Sequence, residues 1–128
     1  MTGPTSENHD SKSYPLGLFT LLISWLVYLL HICPTIYWRD SAEFVTSGYT
    51  LGVPHPAGSP TYSLITKLFT FLPVGSIAFR VNIVSAFFGS CSIYLLYKVI
   101  MALVKNLDPE EDVQAARYSS FAVAMLFL

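Results

Sequence analysis

Two acids and a histidine stand close together in one polar segment of the chain. Asp40 and Glu43 occur in Trp38-Arg39-Asp40-Ser41-Ala42-Glu43-Phe44, and His55 occurs in Gly52-Val53-Pro54-His55-Pro56-Ala57-Gly58-Ser59-Pro60. Carboxylates three residues apart share one side of a helix. One of them could act as a general base with a raised pKa, or the two could share a divalent cation. Asp-x-x-Glu is also a capping box, with Asp40 capping a helix and Glu43 reaching back, and spacing alone favours that reading over chemistry. The two are compatible, because helix N-termini attract anions. His55, clamped between prolines, could donate to a phosphate or carry a proton near neutral pH; its plainer reading is an ordinary hydrogen-bonding loop residue. Arg80 could pair a phosphate, or simply anchor a helix at a membrane interface. His31 reads as a satisfied polar residue inside a helix.

These residues need elements to hold them, and the elements read as membrane helices. Of the 128 residues, 53% are hydrophobic and only 12% charged. Soluble domains carry about 25% charged residues, so the deficit points to a bilayer. A net charge of -1 gives no basic face for nucleic acid. Residues 1–15 read as a disordered tail. Leu16 to Ile36 is a first span, long enough for a bilayer core of about 30 Å, which takes roughly 20 apolar residues. Its length and the lack of a small-residue cleavage site argue against a signal peptide. Pro34 marks where the helix loosens.

Residues 37–80 form a loop between spans. Within it, Asp40 to Thr50 makes a short helix, and the run from Gly52 to Pro60 has the Pro and Gly chemistry of a true loop. Thr61 to Leu72 reads as an amphipathic helix in the membrane interface. Tyr62, Ile65, Phe69 and Leu72 form its apolar stripe; Ser63, Thr66, Lys67 and Thr70 form the polar one. Ser76 is a fitting N-cap for the next helix. Val81 to Val104 is a second span, with Lys98 able to snorkel. A charged connection from Lys105 to Arg117 leads to a third apolar run from Tyr118, too short to cross by Leu128. The chain is therefore expected to be the N-terminal part of a longer polytopic protein. Cys33 and Cys91 lie in apolar stretches and read as small hydrophobes. Lysines and arginines flank both sides of the spans, so charge does not set the orientation.

No nucleophile elbow, P-loop, GxGxxG, CxxC or HExxH occurs. Hydrolase, NTPase and dinucleotide-binding readings are unsupported.

The segments Pro34-Thr35-Ile36-Tyr37-Trp38-Arg39-Asp40-Ser41-Ala42-Glu43-Phe44, Tyr49 to Pro60, Lys67-Leu68-Phe69 and Leu72 to Asn82, in that order, resemble the N-terminus of the protein O-mannosyltransferase-like membrane family of the GT-C superfamily. That family includes the animal transmembrane O-mannosyltransferase of plexin-type domains. The resemblance covers about Pro34 to Tyr97. It implies an all-α, GT-C-like polytopic bundle in a bacterial inner membrane or the endoplasmic reticulum membrane. The tail would face the cytoplasm and the loop 37–80 the lumen or periplasm. Asp40 matches the family's catalytic aspartate, Glu43 its accompanying acid and His55 the His of its H-P-x-G pattern. Two departures are visible: Arg39 and Ala42 stand where members commonly have glycine, and Pro56-Ala57-Gly58-Ser59-Pro60 replaces P-P-G-Y-P.

The function implied is transfer of a sugar, mannose by preference, from a polyprenyl-phosphate to a Ser or Thr hydroxyl of a protein acceptor. Asp40 and Glu43 are the expected catalytic residues and His55 and Arg80 the expected substrate-binding ones, with no metal or other cofactor. The fragment alone is expected to be inactive. The rival reading is a non-enzymatic or degenerate membrane protein with an assembly role. A transporter piece would prefer ionisable residues at mid-span, and neither full span has one.

Overall fold

The computed structural model describes residues 14–55, 58–107 and 113–128. The described residues form five helices: α1 (Tyr14–Leu30), α2 (Ser41–Thr50), α3 (Pro60–Phe69), α4 (Ile77–Leu107) and α5 (Val113–Leu126). No strand occurs among them. Residues 1–13 of the tail, Pro56 and Ala57, and residues 108–112 of the charged connection lie outside the described residues, while Tyr14 and Pro15, expected in the tail, open α1.

The first span differs from its expected bounds of residues 16–36, because α1 ends at Leu30. Pro34 supplies the reason. A helical proline clashes with the carbonyl four residues earlier and offers it no N–H, and here that carbonyl belongs to Leu30. The stretch after α1 is held by side chains instead. Asn82 Nδ2 donates to the carbonyls of Cys33 at 2.9 Å and Thr35 at 3.2 Å. Ser76 Oγ donates to Pro34 O at 2.7 Å and accepts from Phe79 N at 3.1 Å, so Ser76 is the N-cap that its position predicted. Helix α4 exceeds the expected span at both ends. At 31 residues it is the one helix among those described that is long and apolar enough to cross a membrane. This points to a membrane location.

The chain divides into two compact units, Tyr28–Phe88 and Met1–Val27 with Gly89–Leu128. In the first, α2 packs on α3, and Val45, Ala78 and Val81 make a small core flanked by Tyr62 and Ile77. Gly48 lets the helices touch: a Cβ there would come within 2.9 Å of Thr66 Cβ and closer still to Thr66 Oγ1. In the second unit, Ile93, Tyr97 and Met101 of α4 pack with Ala116 and Ala124 of α5. Gly17 of α1 sits against Tyr94 and Tyr97, where an added Cβ would lie 3.0 and 3.1 Å from their ring carbons.

Along α3 and the residues just after it, three of the four polar-stripe residues are the buried ones. Tyr62, Ile65 and Phe69 of the apolar stripe are half-buried, and Leu64, Leu68 and Phe71, in neither expected stripe, face outward. Ser63, Thr66 and Thr70 are buried, whereas Leu64, Leu68 and Phe71 are 61%, 68% and 73% exposed. The hydroxyls can turn inward because most bond within their own helix. Thr66 Oγ1 donates to Tyr62 O at 2.7 Å and Thr70 Oγ1 to Lys67 O at 2.7 Å. Helix α1 repeats the pattern, with Thr20 and Ser24 fully buried and Leu18, Leu22, Leu26 and Leu30 exposed. Small residues at helix contacts with leucines outward is the arrangement of helices in lipid, where apolar side chains gain nothing by hiding.

Candidate functional site

The acidic helix begins with a backbone reversal. Arg39 has φ 63°, in the left-handed region, and this turns the chain so that Asp40 opens α2. Ser41 Oγ accepts the N–H of Tyr37 at 3.1 Å and steadies the approach. The far end of α2 closes with a second left-handed residue, Leu51 at φ 59°, and Gly52 N donates back to Ser47 O at 3.1 Å. This sends Val53-Pro54-His55 back along α2. The N–H of Gly58, at φ 48°, donates to His55 O at 3.1 Å. Pro60 then occupies the first turn of α3, where a missing N–H costs nothing.

The reversal brings His55 onto Glu43. One carboxylate oxygen accepts the backbone N–H of His55, and Oε2 lies 2.7 Å from Nδ1. The expected capping box is not formed: Asp40 is the N-cap residue by position, but its carboxylate makes no cap bond, and Glu43 turns to the loop. A carboxylate can only accept, so Nδ1 carries the hydrogen and Nε2 is left for another partner. The hydrogen bond to His55 holds the Glu43 pKa below its ordinary value. The same bond raises that of His55, and the nearby charge of Asp40 adds to the rise. Phe44 packs edge-on to the imidazole, with centroids 5.9 Å apart, and edge-on to Tyr62 at 5.4 Å. The Tyr62 phenol is pushed up by burial, against a hydrogen bond with Ser85. The ring of His55 is thus held by a carboxylate on one side and an aromatic on the other. Asp40, at the start of α2, stays exposed to solvent.

Residues 40–127 match the family model of the Protein O-mannosyl-transferase TMEM260 N-terminal domain. The chain belongs to this family. The matched stretch begins at Asp40 and so contains the whole cluster. The mouse protein named Protein O-mannosyl-transferase TMEM260 is 36% identical over 78 residues, 60% of this chain and 11% of the relative. A Dictyostelium discoideum protein named Protein O-mannosyl-transferase tmem260 is 24% identical over 84 residues, 63% of this chain and 10% of the relative. The chain therefore spans about a tenth of the length of these curated relatives. No solved structure matches it.

Within this TMEM260-type domain, the guanidinium of Arg80 bonds to backbone carbonyls and, among the described residues, not to Asp40, Glu43 or His55. Its Nε donates to Val74 O at 2.8 Å, Nη1 to Thr70 O at 2.8 Å and Nη2 to Gly75 O at 3.1 Å. Three of its five N–H groups thus fasten the end of α3 and the following turn to α4. Sequence reasoning missed the role of Lys67. Its ammonium donates to Tyr49 O, at the end of α2, and lies over the Tyr49 ring at 4.9 Å. A cation at a helix C-terminus fits the helix dipole, but no local pattern links residues 18 apart. An apolar groove of about 360 Å³, lined in part by Val53, Pro54, Pro60, Ser63 and Leu64, opens beside the His55 loop. Among the described residues, no three of His, Cys, Asp and Glu gather as metal ligands would.

Proposed function

We propose that the full-length protein transfers mannose from a polyprenyl-phosphate donor to a Ser or Thr hydroxyl of a protein acceptor, and that this chain carries its acid–histidine loop. The observation that carries the reading is the Glu43–His55 pair, which fixes a proton-transfer side chain within electrostatic reach of the exposed Asp40. The names of the mouse and Dictyostelium relatives support a protein O-mannosyltransferase. The outward leucines of α1 and α3 and the length of α4 support a GT-C-like, multi-pass setting in a bilayer, which is where a lipid-linked donor would be found.

In this mechanism the acceptor hydroxyl oxygen attacks the anomeric carbon. The bond from that carbon to the phosphate oxygen breaks, and its electron pair leaves with the lipid phosphate. Asp40 takes the hydroxyl proton, a contribution of about 10²–10⁴-fold. His55, with Nδ1 tied to Glu43, presents Nε2 to the sugar or the leaving phosphate. Glu43 is a positioning residue, because both of its oxygens are on His55. The groove beside Pro54 suits an apolar side chain of the acceptor. The catalytic set needs no metal. The rest of the donor cavity belongs to the remainder of the protein, so the 128-residue piece alone is inactive.

The test is Asp40→Asn in the full-length protein. Transfer should fall by at least about a hundredfold while membrane insertion is unchanged. Transfer at the wild-type rate removes Asp40 from the mechanism.

A further inference from the structure

Arg117 is a buried charge with unmet donors. It lies one turn into α5 and is only 9% exposed, yet its Nε and Nη2 have no hydrogen-bond partner. The hydroxyl of Tyr97, fully buried in the same unit, has none either. A guanidinium stays protonated however deeply it is buried, so it demands an anion or acceptors. Arg117 lines a pocket of about 360 Å³ between the start of α1 and the start of α5, whose other walls are Pro15, Leu16, Phe19, Gln114 and Tyr118. The first backbone N–H groups of α5 have no partners within their own helix, which adds positive potential at that helix start.

From these features we infer that the pocket binds the phosphate of an anionic membrane phospholipid. The guanidinium can fork onto two phosphate oxygens, and an anionic headgroup brings no ammonium to cancel their charge, whereas a zwitterionic one does. Apart from Gln114 the remaining walls, Pro15, Leu16, Phe19 and Tyr118, are apolar or aromatic and suit the first carbons of an acyl chain better than a free ion. The outward leucines of α1 put lipid within reach of the same unit. This site is separate from the acid–histidine loop, since it uses none of Asp40, Glu43 or His55.

The experiment uses the full-length protein in nanodiscs of phosphatidylcholine, with and without phosphatidylglycerol. Lipid retained on native mass spectrometry and thermal unfolding are read together. The wild type should retain phosphatidylglycerol over phosphatidylcholine and melt higher with it. Arg117→Gln should weaken that retention about tenfold, as expected for losing charge-assisted hydrogen bonds. Gln114→Glu is the companion variant if Arg117→Gln fails to fold, because it sets a carboxylate three residues from Arg117. It should expel the lipid to a similar degree and lose the rise in melting temperature that phosphatidylglycerol gives, while melting like the wild type in phosphatidylcholine alone. Equal retention in wild type and both variants overturns the proposal. So does displacement of the lipid by inorganic phosphate, which would make the pocket a soluble-anion site. Loss of stability without any lipid effect, on neutralising Asp108, Glu110, Glu111 and Asp112, would mean that Arg117 pairs with its own chain and would also overturn it.

Discussion

Glu43 holds His55 twice, at the backbone N–H and at Nδ1, so one carboxylate fixes both the position of the loop and the orientation of the ring. The two residues are 12 apart in sequence, and they meet because the chain reverses at Leu51 and Gly52.

The pair gives a pH signature with a definite sign. The His55 pKa is raised above its ordinary 6.5, so its stabilising contribution is full below 6.5 and fades as pH rises through the raised value. The Glu43 pKa is lowered from 4.5, so its contribution is present above 4.5 and fades as pH falls through the lowered value. The ion pair is therefore intact between those two pKa values. An NMR titration of the His55 ring should give a midpoint above 6.5 that moves back toward 6.5 in Glu43→Gln. A midpoint at or below 6.5, unmoved by that substitution, would dissolve the pair.

Gly48 is the point where α2 and α3 come closest. Gly48→Ala should destabilise the domain by about 1–3 kcal/mol through overpacking against Thr66. Adding Thr66→Ala removes the nearest atom, Oγ1, and should recover part of the loss. Thermal melts of both variants and the double variant in detergent decide this. Strictly additive losses would mean that the two residues do not touch.

Arg39 adopts the left-handed conformation, which costs a non-glycine residue about 1–2 kcal/mol. Glycine adds back roughly 0.5–1 kcal/mol of chain entropy. Arg39→Gly should therefore stabilise the domain by roughly 0.5–1 kcal/mol, with insertion preserved. A lower melting temperature would show that the Arg39 side chain contributes more than its backbone strain costs.

Arg80 fastens three carbonyls in a fork that lysine cannot reproduce. Both Arg80→Ala and Arg80→Lys should lower stability, by about 1–3 kcal/mol. Lysine rescue separates this from phosphate binding. If Arg80→Lys melts like the wild type but raises the KM for the lipid donor, the residue serves the substrate rather than the turn.

Much of this architecture comes from short-range rules that the sequence carries by itself. Proline geometry marks the exit of α1 and the loop from Gly52 to Pro60. The Ser76 hydroxyl marks the start of α4. The left-handed φ at Arg39 stands where members of the resembling family commonly have glycine, so that departure maps onto a backbone demand. The motifs from Pro34 to Asn82 are enough to point to the family. Each of these depends on φ limits or hydrogen bonds spanning a few residues.

Tertiary structure alone decided which way side chains face. Glu43 had a local partner in the helix start and a distant one in His55, and only closure of the loop selected the distant one. The stripes of α3 are legible as periodic, but periodicity does not say that the hydroxyl stripe is the most buried one, with Tyr62, Ile65 and Phe69 only half-buried. The usual assignment of apolar residues inward holds where they hide from water. Here Gly48 and Thr66 allow an approach so close that small hydroxyl residues fill the interface and Leu64 and Leu68 turn out. Periodicity sets which residues share a face; the surrounding medium and the neighbouring helix set which face is buried.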